Sequence, residues 1–441
     1  MTMLTLLLIS WLGTATAVET ALGPENPLPR PDSLEPAVAF WSDVFSRWDQ
    51  DQIVLFDEFD LSVVYEIRRL PPSNGTRDRE RERESLRADW KASLAHELRD
   101  LARDDVDYDA LEGRARRLHG LLGESRDPDT YRRAAENLRS QRGIRETFLA
   151  GVQRAARYDR VFKEIFREEG LPGELVHLPH VESSYRWNAR SSVGALGMWQ
   201  FMATTARKYI VVDDAVDERL DPYAAARAAA RYLKNAHDEL GAWPLAITSY
   251  NHGVDGIRNA VRETGTRDIA TIIDSYRGPL FGFAGRNFYP EFLAASALAE
   301  SLLASPGDLV LDEPVPFEVF PLPAFVKLET LAGALGMEER ELLPLNPAIQ
   351  AGARKSDLHL SKGYEFKLPV GHGLRAEARF DTIPAAERPS VRPQKTYRVQ
   401  RGDSLGVIAR KHRTTVSALQ RINGIRNPNQ VRAGMLLRLP G

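Results

Sequence analysis

Apolar residues recur at helical spacing through residues 141–300, so this stretch is predicted to form consecutive helices joined by short loops. Asp221 and Pro222 have the residue types of a helix N-cap and of the first helical position. Gly241 is typical of the position that follows the end of a helix. Together these residues predict one helix over residues 222–240.

A second helix is predicted to begin at Pro244 and to place Tyr250 and Asn251 at its end. The apolar, Ala-rich segment Leu293–Leu303 has the composition of a buried terminal helix. The expected fold class is therefore mainly α across residues 141–305, which we treat as one domain.

The chain before residue 141 has a different composition. Residues 18–36 are rich in Pro and Gly and predict a linker, whereas residues 37–70 contain short apolar runs that are expected to pack onto the following domain. Residues 78–142 are densely charged and carry large apolar residues at helical spacing, namely Leu86, Trp90, Leu94, Leu98 and Leu101. Such charge favours the solvated faces of amphipathic helices over a charged binding surface. Residues 18–140 are thus expected to be a linker followed by a charged helical region.

Residues 1–17 have the pattern of a secretory signal peptide. An apolar run over residues 3–12 is followed by Ala15-Thr16-Ala17, a small-x-small cleavage pattern, although the usual basic residue in front is missing. The run is too short to span a bilayer. A core segment or a misassigned start codon is the alternative. A signal peptide predicts an exported protein.

The C-terminal part contains an internal repeat. Residues 328–346 and 405–423 align without a gap and share residue types at Leu328/Leu405, Ala332/Ala409, Leu342/Leu419 and Asn346/Asn423. Each copy is followed by Gly and by a short apolar segment that ends in Pro. The implied unit is a strand, two helices and a strand.

The second copy contains Tyr397-x-Val399-x-x-Gly402-Asp403-Ser404-Leu405, which resembles the LysM module. LysM is a small βααβ domain that binds glycans containing N-acetylglucosamine. The resemblance implies a LysM domain over residues 395–441, with glycan contacts from Gly402, Asp403, Ser404 and Leu405.

The first copy, within residues 315–371, has Phe325-Val326-Lys327 in place of the Gly-Asp-Ser turn. We therefore expect it to be a degenerate, structural copy. The Pro-rich segment 383–394 is predicted to be the linker between the two copies.

Composition excludes several functions. The 441 residues include 59 basic and 61 acidic side chains, for a formal net charge of −2, and no cysteine. Several domains are expected at this length. The balanced charge gives no argument for nucleic-acid binding, and without cysteine neither a disulfide nor a zinc–thiolate site can form. We expect no metal and no cofactor.

Residues 178–202 carry the most informative chemistry. Glu182 lies in an apolar helical stretch and is followed by a glycine-spaced loop. A carboxyl group among apolar neighbours has a raised pKa and retains its proton near neutral pH, which a general acid for a glycosidic oxygen requires. Trp199 or Tyr185 is expected to pack on a sugar ring. On residue chemistry alone, a structural Glu is the commoner explanation.

Three motifs in order resemble the lytic transglycosylases, whose lysozyme-like fold is shared with goose-type lysozymes. They are Glu182-Ser183, Ser191-x-x-Gly194-Ala195-x-Gly197-x-x-Gln200 and Tyr250-Asn251-x-Gly253. The flanking segment Asp217-Glu218-Arg219-x-Asp221-Pro222 is similar to the membrane-bound lytic murein transglycosylase D branch. The resemblance implies a lysozyme-like helical catalytic domain of the α+β superfamily, followed by small βααβ LysM modules.

This resemblance implies a carbon–oxygen lyase that cleaves the β-1,4 bond between N-acetylmuramic acid and N-acetylglucosamine in peptidoglycan without water. Glu182 is implied to be the catalytic acid and base, and the products to end in 1,6-anhydro-N-acetylmuramic acid. Ser191 matches the position that hydrogen-bonds the catalytic Glu. The implied substrate contacts are Ser191, Gly197, Met198, Gln200, Tyr250 and Asn251. The expected partner is the peptidoglycan glycan strand, with no nucleic acid and no stable membrane insertion after signal cleavage. The resemblance also implies that the exported protein acts in the periplasm or cell envelope of a Gram-negative-type bacterium.

Two alternatives stay open. Most glycoside hydrolases use two carboxylates, and here only Glu182 is clearly placed, which favours the transglycosylase over a hydrolytic muramidase on the same fold. Asp213 and Asp214 precede a helix and are better explained as a cap or a solvated turn. The second alternative is a non-catalytic peptidoglycan-binding scaffold.

The chain departs from the resemblance near the last predicted helix of the domain. Relatives often carry Glu-Thr-x-x-Tyr there, and this chain has Ala284 and Phe288 at the positions of the Glu and the Tyr. The assistance that this Glu would give to catalysis is therefore in doubt. His180 and His252 flank the motifs without metal-ligand spacing and are expected to be polar groove residues.

Overall fold

The computed structural model describes residues 26–355, 358–393, 396–412 and 414–439. The predicted signal peptide, residues 1–17, lies outside these described residues. The molecule is mainly helical, as expected, and the described residues also form three small antiparallel sheets. No helix within the described ranges is both long and apolar enough to cross a membrane.

The helices before the repeats are α1 (Glu35–Ser46), α2 (Arg77–Asp100), α3 (Gly113–Leu121), α4 (Pro128–Glu136), α5 (Arg145–Ala156), α6 (Asp159–Glu168), α7 (Leu178–Ser183), α8 (Ala203–Ala206), α9 (Pro222–Leu240), α10 (Trp243–His252), α11 (Val254–Thr264), α12 (Ile269–Ser275) and α13 (Phe283–Ala304). The later helices are α14 (Leu328–Leu335), α15 (Glu339–Leu342), α16 (Ala351–Lys355), α17 (Gly373–Asp381), α18 (Leu405–Lys411) and α19 (Val416–Asn423). The strands are β1 (Gln52–Asp57), β2 (Val64–Arg69), β3 (Leu138–Arg142), β4 (Glu318–Pro321), β5 (Glu365–Leu368), β6 (Thr396–Arg398) and β7 (Leu436–Arg438).

The two predicted helices over the middle of the chain are confirmed as α9 and α10. The side chain of Asp221 caps α9 by accepting hydrogen bonds from the backbone N–H groups of Tyr223 and Ala224. Gly241 ends α9 in the left-handed conformation, with φ of 77°. Small Ala side chains fill the buried face of α9, so α6 and α10 pack close to it.

Strand β1 connects the N-terminal region to the domain that follows. Val54 and Phe56 pack into a core shared with α1 and α13. Ile53 and Leu55 pack on the other side, into a core formed with α2 and α4. The strand order is β2–β1–β3. A linker and charged helices were predicted for this region, and the sheet was not, because β3 is polar and becomes a strand only by pairing with β1.

The first repeat, which we define as residues 318–368, contains the βααβ elements β4, α14, α15 and β5, with the short helix α16 inserted before β5. Its strands β4 and β5 pair antiparallel. Its core also contains Ala215 and Val216, from the loop between α8 and α9. Lys367 of β5 forms a buried ion pair with Asp221, the N-cap of α9. The first repeat is therefore packed into the domain that precedes it.

The second repeat, residues 396–439, has the same order of elements, β6, α18, α19 and β7. The βααβ unit predicted from the repeat is thus present twice. Ser404 and Thr415 cap α18 and α19 by accepting backbone N–H bonds. The core of this unit is made from its own residues, with Leu405, Ile408, Leu419 and Leu437 at its centre.

Candidate active site

Glu182 lies on the last turn of the short helix α7. The helix ends abruptly because Ser184 and Tyr185 both adopt left-handed backbone conformations, with φ of 50° and 59°. Residues other than glycine adopt this region at a cost of about 1 kcal/mol or more each. The reversal is therefore enforced by the surrounding contacts, and it leaves Glu182 half-buried at the end of the helix.

Three hydrogen bonds hold the backbone around this reversal. The Ser183 hydroxyl donates to the Met198 carbonyl at 2.7 Å, and the Tyr185 hydroxyl donates to the Val176 carbonyl at 2.5 Å. The Arg154 guanidinium donates to the Ser184 carbonyl at 2.7 Å. Glu182 is thus carried on a rigid segment, which suits a group that must meet a reacting bond in one orientation.

Burial raises the pKa of Glu182 to about 8. No hydrogen bond or ion pair to its carboxylate is present among the described residues to offset this effect. A carboxyl group with this pKa is protonated at neutral pH and is able to donate its proton. The expectation of a raised pKa from the apolar neighbours is confirmed.

The loop after α7 folds back on itself around Ser191. The Ser191 hydroxyl accepts from the backbone N–H of Ala195 at 2.8 Å, and the Ser191 N–H donates to the Ala195 carbonyl at 3.0 Å. No hydrogen bond joins Ser191 to Glu182 within the described part of the chain. Gly197 has φ of +85°, and a Cβ at this position would collide with the carbonyl of Arg219. Glycine is required there by both conformation and space.

Arg219 is a structural residue that was not among the predicted site residues. Its buried guanidinium pairs with Asp217 and also donates to the carbonyl groups of Gly194 and Phe201. The side chain thus braces both ends of the glycine loop. Its signal in the sequence was the Asp-Glu-Arg segment that contributes to the family resemblance.

Gln200 lies at the end of the glycine loop, with a positive φ of 49°. Its side-chain nitrogen donates to the carbonyl groups of Ala189 and Gly197, at 3.2 and 2.7 Å. The amide hydrogens are therefore used inside the loop, and the side-chain oxygen is the group left to accept from a ligand.

Tyr250 and Asn251 lie at the end of α10, as predicted. The Tyr250 hydroxyl donates to the Trp199 carbonyl at 2.8 Å, which links the third motif to the glycine loop. Burial and then the charge of Glu182 raise the pKa of Tyr250 well above its usual value, so Tyr250 and Glu182 are close enough to interact. Asn251 is exposed beside Tyr250.

The side chains of three expected ligand contacts lie in the core. Trp199, Tyr185 and Met198 are each at most 1% exposed, and Trp199 stacks on Phe166. They cannot present a face to a sugar. Trp187, which is 41% exposed and follows the reversal, was not singled out.

His180 is not the polar groove residue that was expected. It is 2% exposed, and its ring packs against Phe148 and Tyr185. Burial lowers its pKa well below the usual value. His252 is half-buried with its ring against Phe281. Across the described ranges, no group of three or more His, Asp or Glu side chains could hold a metal ion.

In the second repeat, the residues predicted to contact glycan also have structural roles. Asp403 accepts from the Tyr397 hydroxyl and the Gln400 N–H, and the side chain of Ser404 caps α18. Leu405 is 1% exposed, so its side chain belongs to the core and not to a glycan contact. Gly402 has φ of +91° and open space around it.

The structure corrects the expectation that Glu182 is the single carboxylate. Glu291 on α13 is half-buried and lies within electrostatic range of Glu182. Burial, together with the charge of Glu182, raises the pKa of Glu291 to about 8. No local pattern marks this residue, because it is more than a hundred positions from Glu182 and outside the three motifs. Asp213, in contrast, accepts from the N–H groups of Ala215 and Val216, as expected of a turn residue.

Comparison with known families bears on this geometry. Residues 160–273 match the transglycosylase SLT domain, and residues 397–440 match the LysM domain. The predicted resemblance is confirmed. The fold class is confirmed with it, as a mainly helical molecule with a lysozyme-like SLT domain and a LysM domain. Glu182, Ser191, Gln200, Tyr250 and Asn251 lie inside the SLT match, whereas Glu291 lies outside it.

Among curated proteins, the chain is 27% identical over 270 residues to membrane-bound lytic murein transglycosylase D of Escherichia coli K12, which covers 59% of this chain and 58% of that protein. It is 33% identical over 108 residues to membrane-bound lytic murein transglycosylase F 2 of Alkalilimnicola ehrlichii, over 23% of each. The chain therefore spans less than two thirds of the length of these relatives.

Among solved structures, the chain resembles an inactive mutant of lytic transglycosylase Slt from Pseudomonas aeruginosa. The identity is 22%, over 34% of this chain and 25% of that one, with a TM-score of 0.28.

Proposed function

We propose that the protein is a peptidoglycan lytic transglycosylase in which Glu182 is the catalytic acid and base. The observation that carries this proposal is the state of Glu182, which is half-buried on a rigid reversal and has a pKa raised to about 8 by burial. The SLT match and the named relatives support the class of reaction.

In the proposed first step, Glu182 donates its proton to the oxygen that joins N-acetylmuramic acid to N-acetylglucosamine. The bond between this oxygen and C1 of the muramic acid breaks, and positive charge develops at C1. Glu182 is left as a carboxylate close to that charge, where it is favourable.

In the second step, the C6 hydroxyl oxygen of the same sugar attacks C1, and the Glu182 carboxylate takes the hydroxyl proton. The step forms the 1,6-anhydro ring, restores the protonated acid and consumes no water. Because the nucleophile belongs to the reacting sugar, its effective concentration is high without a second group to orient it.

The remaining site residues are proposed to hold the glycan and the acid. Ser191 accepts from Ala195, so its hydroxyl hydrogen is left to donate to the Glu182 carboxylate. Gln200 would accept from a sugar hydroxyl through its side-chain oxygen, and exposed Asn251 would hydrogen-bond the substrate beside Tyr250. Gly197 allows the close packing that shapes the loop.

A hydrolytic muramidase is the second candidate, because Glu291 supplies a second carboxyl group. A general base that activates water must be ionised. With a pKa of about 8, Glu291 is mostly protonated at neutral pH and is a poor acceptor for a proton from water. This observation favours the transglycosylase.

We also propose that the protein is exported and acts on glycan strands in the periplasm or cell envelope, with the second repeat holding it on the substrate. The LysM match over residues 397–440 supports glycan binding. The relatives that the chain resembles are named membrane-bound murein enzymes, which supports the same compartment.

The deciding experiment is mass spectrometry of fragments released from purified sacculi. The proposal expects 1,6-anhydro ends that borohydride does not reduce. Glu182→Gln should lower turnover by at least about 10²–10⁴, the usual contribution of proton transfer. Glu168→Gln, an exposed change on α6, should retain wild-type turnover. Mainly reducible, hydrated ends would assign the protein as a muramidase, and an active Glu182→Gln variant would refute the role of Glu182.

A further inference from the structure

Arg219 contacts the glycine loop, here residues 194–201, at three points. Its guanidinium donates to the Gly194 carbonyl at 3.3 Å and to the Phe201 carbonyl at 3.2 Å, and so bridges the first and the last residue of the loop. The backbone carbonyl of Arg219 lies against Gly197, where a Cβ would not fit. The position of the loop therefore depends on the position of Arg219.

Gln200 is the loop residue whose side chain is proposed to bind substrate. It directly precedes Phe201, and its side-chain nitrogen donates to the carbonyl groups of Ala189 and Gly197. These bonds fix the direction of the side-chain oxygen relative to the loop. A shift of the loop would therefore move this oxygen away from the sugar hydroxyl that it is proposed to accept from, and small displacements of this kind weaken binding and catalysis.

Asp217 fixes the orientation of the Arg219 guanidinium. The two carboxylate oxygens of Asp217 accept from Nε and from Nη2 of Arg219, at 2.9 and 2.7 Å. A two-point contact of this type holds the plane of the guanidinium in one direction. Both residues are 8% exposed. Replacing a buried ion pair by apolar residues is often neutral or stabilising, so stability alone is a weak explanation for this pair. The carbonyl groups that the oriented guanidinium reaches are a better one.

The first repeat holds Asp217 in turn, through the backbone. The N–H of Asp217 donates to the Ala348 carbonyl at 2.8 Å, and the N–H of Gln350 donates to the Ala215 carbonyl at 2.9 Å. Between these two bonds, residues 216 and 349 form an antiparallel bridge. Residues 215–217 and 348–350 thus form a short ladder, and one of its two sides belongs to the first repeat.

A continuous set of contacts therefore runs from the first repeat to the active site, through Asp217, Arg219 and the glycine loop. We propose that the first repeat positions Gln200 for the substrate through Arg219, and so contributes to glycan binding in the active site. Arg219 is a positioning residue, and the inference rests on the proposed function of this site. It gives a role to the repeat that lacks the Gly-Asp-Ser turn.

The first test compares two buried arginines with the same kinds of partner. Arg83 of α2 pairs with Asp51 and donates to the carbonyl groups of Pro71 and Gln50, as Arg219 does with one carboxylate and two carbonyl groups. Arg83 is 2% exposed. Arg219→Lys and Arg83→Lys each keep the positive charge and replace a planar fork of donors by a single ammonium. The two variants thus make the same chemical change, with and without contact to the glycine loop.

The measured quantities are KM and kcat of the full chain on a short soluble peptidoglycan oligosaccharide, at a temperature where each variant is folded. Arg219→Lys should raise KM by about three- to tenfold, the value of one hydrogen bond to the ligand. Its kcat should stay within about twofold of wild type, because Glu182 is held by other contacts, from Tyr185 and Arg154. Arg83→Lys should leave both quantities near wild type. An Arg219→Lys variant with the wild-type KM would overturn the proposal.

The second test changes the first repeat itself. Gln350→Pro removes the N–H that donates to Ala215, whereas Gln350→Ala retains that N–H and removes only the side chain. The proline variant should raise KM in the same direction as Arg219→Lys, and the alanine variant should not. If the KM of both variants equals that of wild type, the first repeat does not act on the site and the proposal is wrong. Should Gln350→Pro fail to fold, Ile349→Ala loosens the same contact through the shared core and takes its place.

Amide hydrogen exchange tests the same contacts without catalysis. The N–H groups of Ala195, Leu196 and Gly197 are hydrogen-bonded and should exchange slowly while the loop is held. In the full chain, exchange over residues 194–201, followed by mass spectrometry, should be about three- to tenfold faster in Arg219→Lys and in Gln350→Pro, and unchanged in Arg83→Lys. Wild-type exchange in Arg219→Lys would overturn the proposal. If exchange is faster but the wild-type protein makes no anhydro products, the proposed function fails and the link from the first repeat to the loop stands.

Discussion

Asn346 in the first repeat and Asn423 in the second make the same hydrogen bonds. Each side-chain oxygen accepts from a backbone N–H of the last strand, at 2.9 Å from Lys367 and at 2.6 Å from Arg438. Each side-chain nitrogen donates to the carbonyl of that same strand residue, at 2.7 and 2.8 Å. Yet Lys367 is buried against Asp221, whereas Arg438 is exposed.

The comparison shows that one internal construction serves two purposes. The core of the first repeat takes in Ala215 and Val216, and backbone hydrogen bonds join Asp217 to Ala348 and Gln350 to Ala215. The core of the second repeat consists of its own residues. We call the first repeat a brace, because it packs into the preceding domain, and the second a module, because its core is its own. The two repeats share the βααβ pattern and differ in their outward-facing residues.

The largest effect is expected from removing the first repeat. A chain that ends at residue 314 exposes Ala215 and Val216 and leaves the buried carboxylate of Asp221 without its cation. Several kcal/mol are lost, and the melting temperature of the catalytic segment should fall by about 10 °C or more, if the chain stays soluble. Calorimetry and tryptophan fluorescence measure this change.

The matched control is a chain that ends at residue 393, which removes only the second repeat. It should retain the melting temperature and the cleavage of short soluble glycans, and it should bind insoluble peptidoglycan more weakly because the tether is gone. If both truncations melt alike, the first repeat is not a brace. If binding to sacculi is unchanged, the second repeat has no role in holding substrate.

A single substitution tests the same difference at smaller scale. Lys367→Met removes the partner of buried Asp221 and should destabilise the protein by about 3–5 kcal/mol, as broken buried ion pairs do. Arg438→Met changes the equivalent but exposed residue and should cost less than about 0.5 kcal/mol. Urea unfolding measures both. Equal effects would mean that the buried pair does not join the first repeat to the domain.

Local signals in the sequence were sufficient for much of the fold. The cap at Asp221, the glycine at 241 and the aligned positions of the two repeats led to the correct helices and βααβ units, because these features depend on neighbours in sequence. The sheet containing β3 was missed, since its polar residues form a strand only by pairing with β1. The contact between the first repeat and the domain was missed for the same reason, because Lys367 and Asp221 are distant in sequence.

The site residues divide in the same way, into those whose properties follow from neighbours in sequence and those whose properties depend on distant contacts. The raised pKa of Glu182 followed from its apolar neighbours, and the placement of Tyr250 followed from the predicted end of α10. Burial of Trp199 and Tyr185 did not follow, because a tryptophan beside glycines is equally compatible with a groove wall and with a core. Glu291 was missed because its relation to Glu182 arises from the packing of α13 on α7, which no local pattern encodes.

The smallest expected effect concerns the asparagines that the two repeats share. Asn346→Ala leaves the buried N–H and carbonyl of Lys367 without partners and should lower stability by about 2–3 kcal/mol. Asn423 is half-buried, so water replaces part of its hydrogen bonding, and Asn423→Ala should lower stability by about 1 kcal/mol. The seven tryptophans all precede residue 244. Fluorescence-detected unfolding should therefore respond to Asn346→Ala, through the first repeat and its contact with the domain, and should not respond to Asn423→Ala, whose loss appears only in hydrogen exchange within residues 396–439. If Asn346→Ala leaves the fluorescence-detected transition unchanged, the two repeats are equally independent of residues 141–305, despite the buried pair between Lys367 and Asp221.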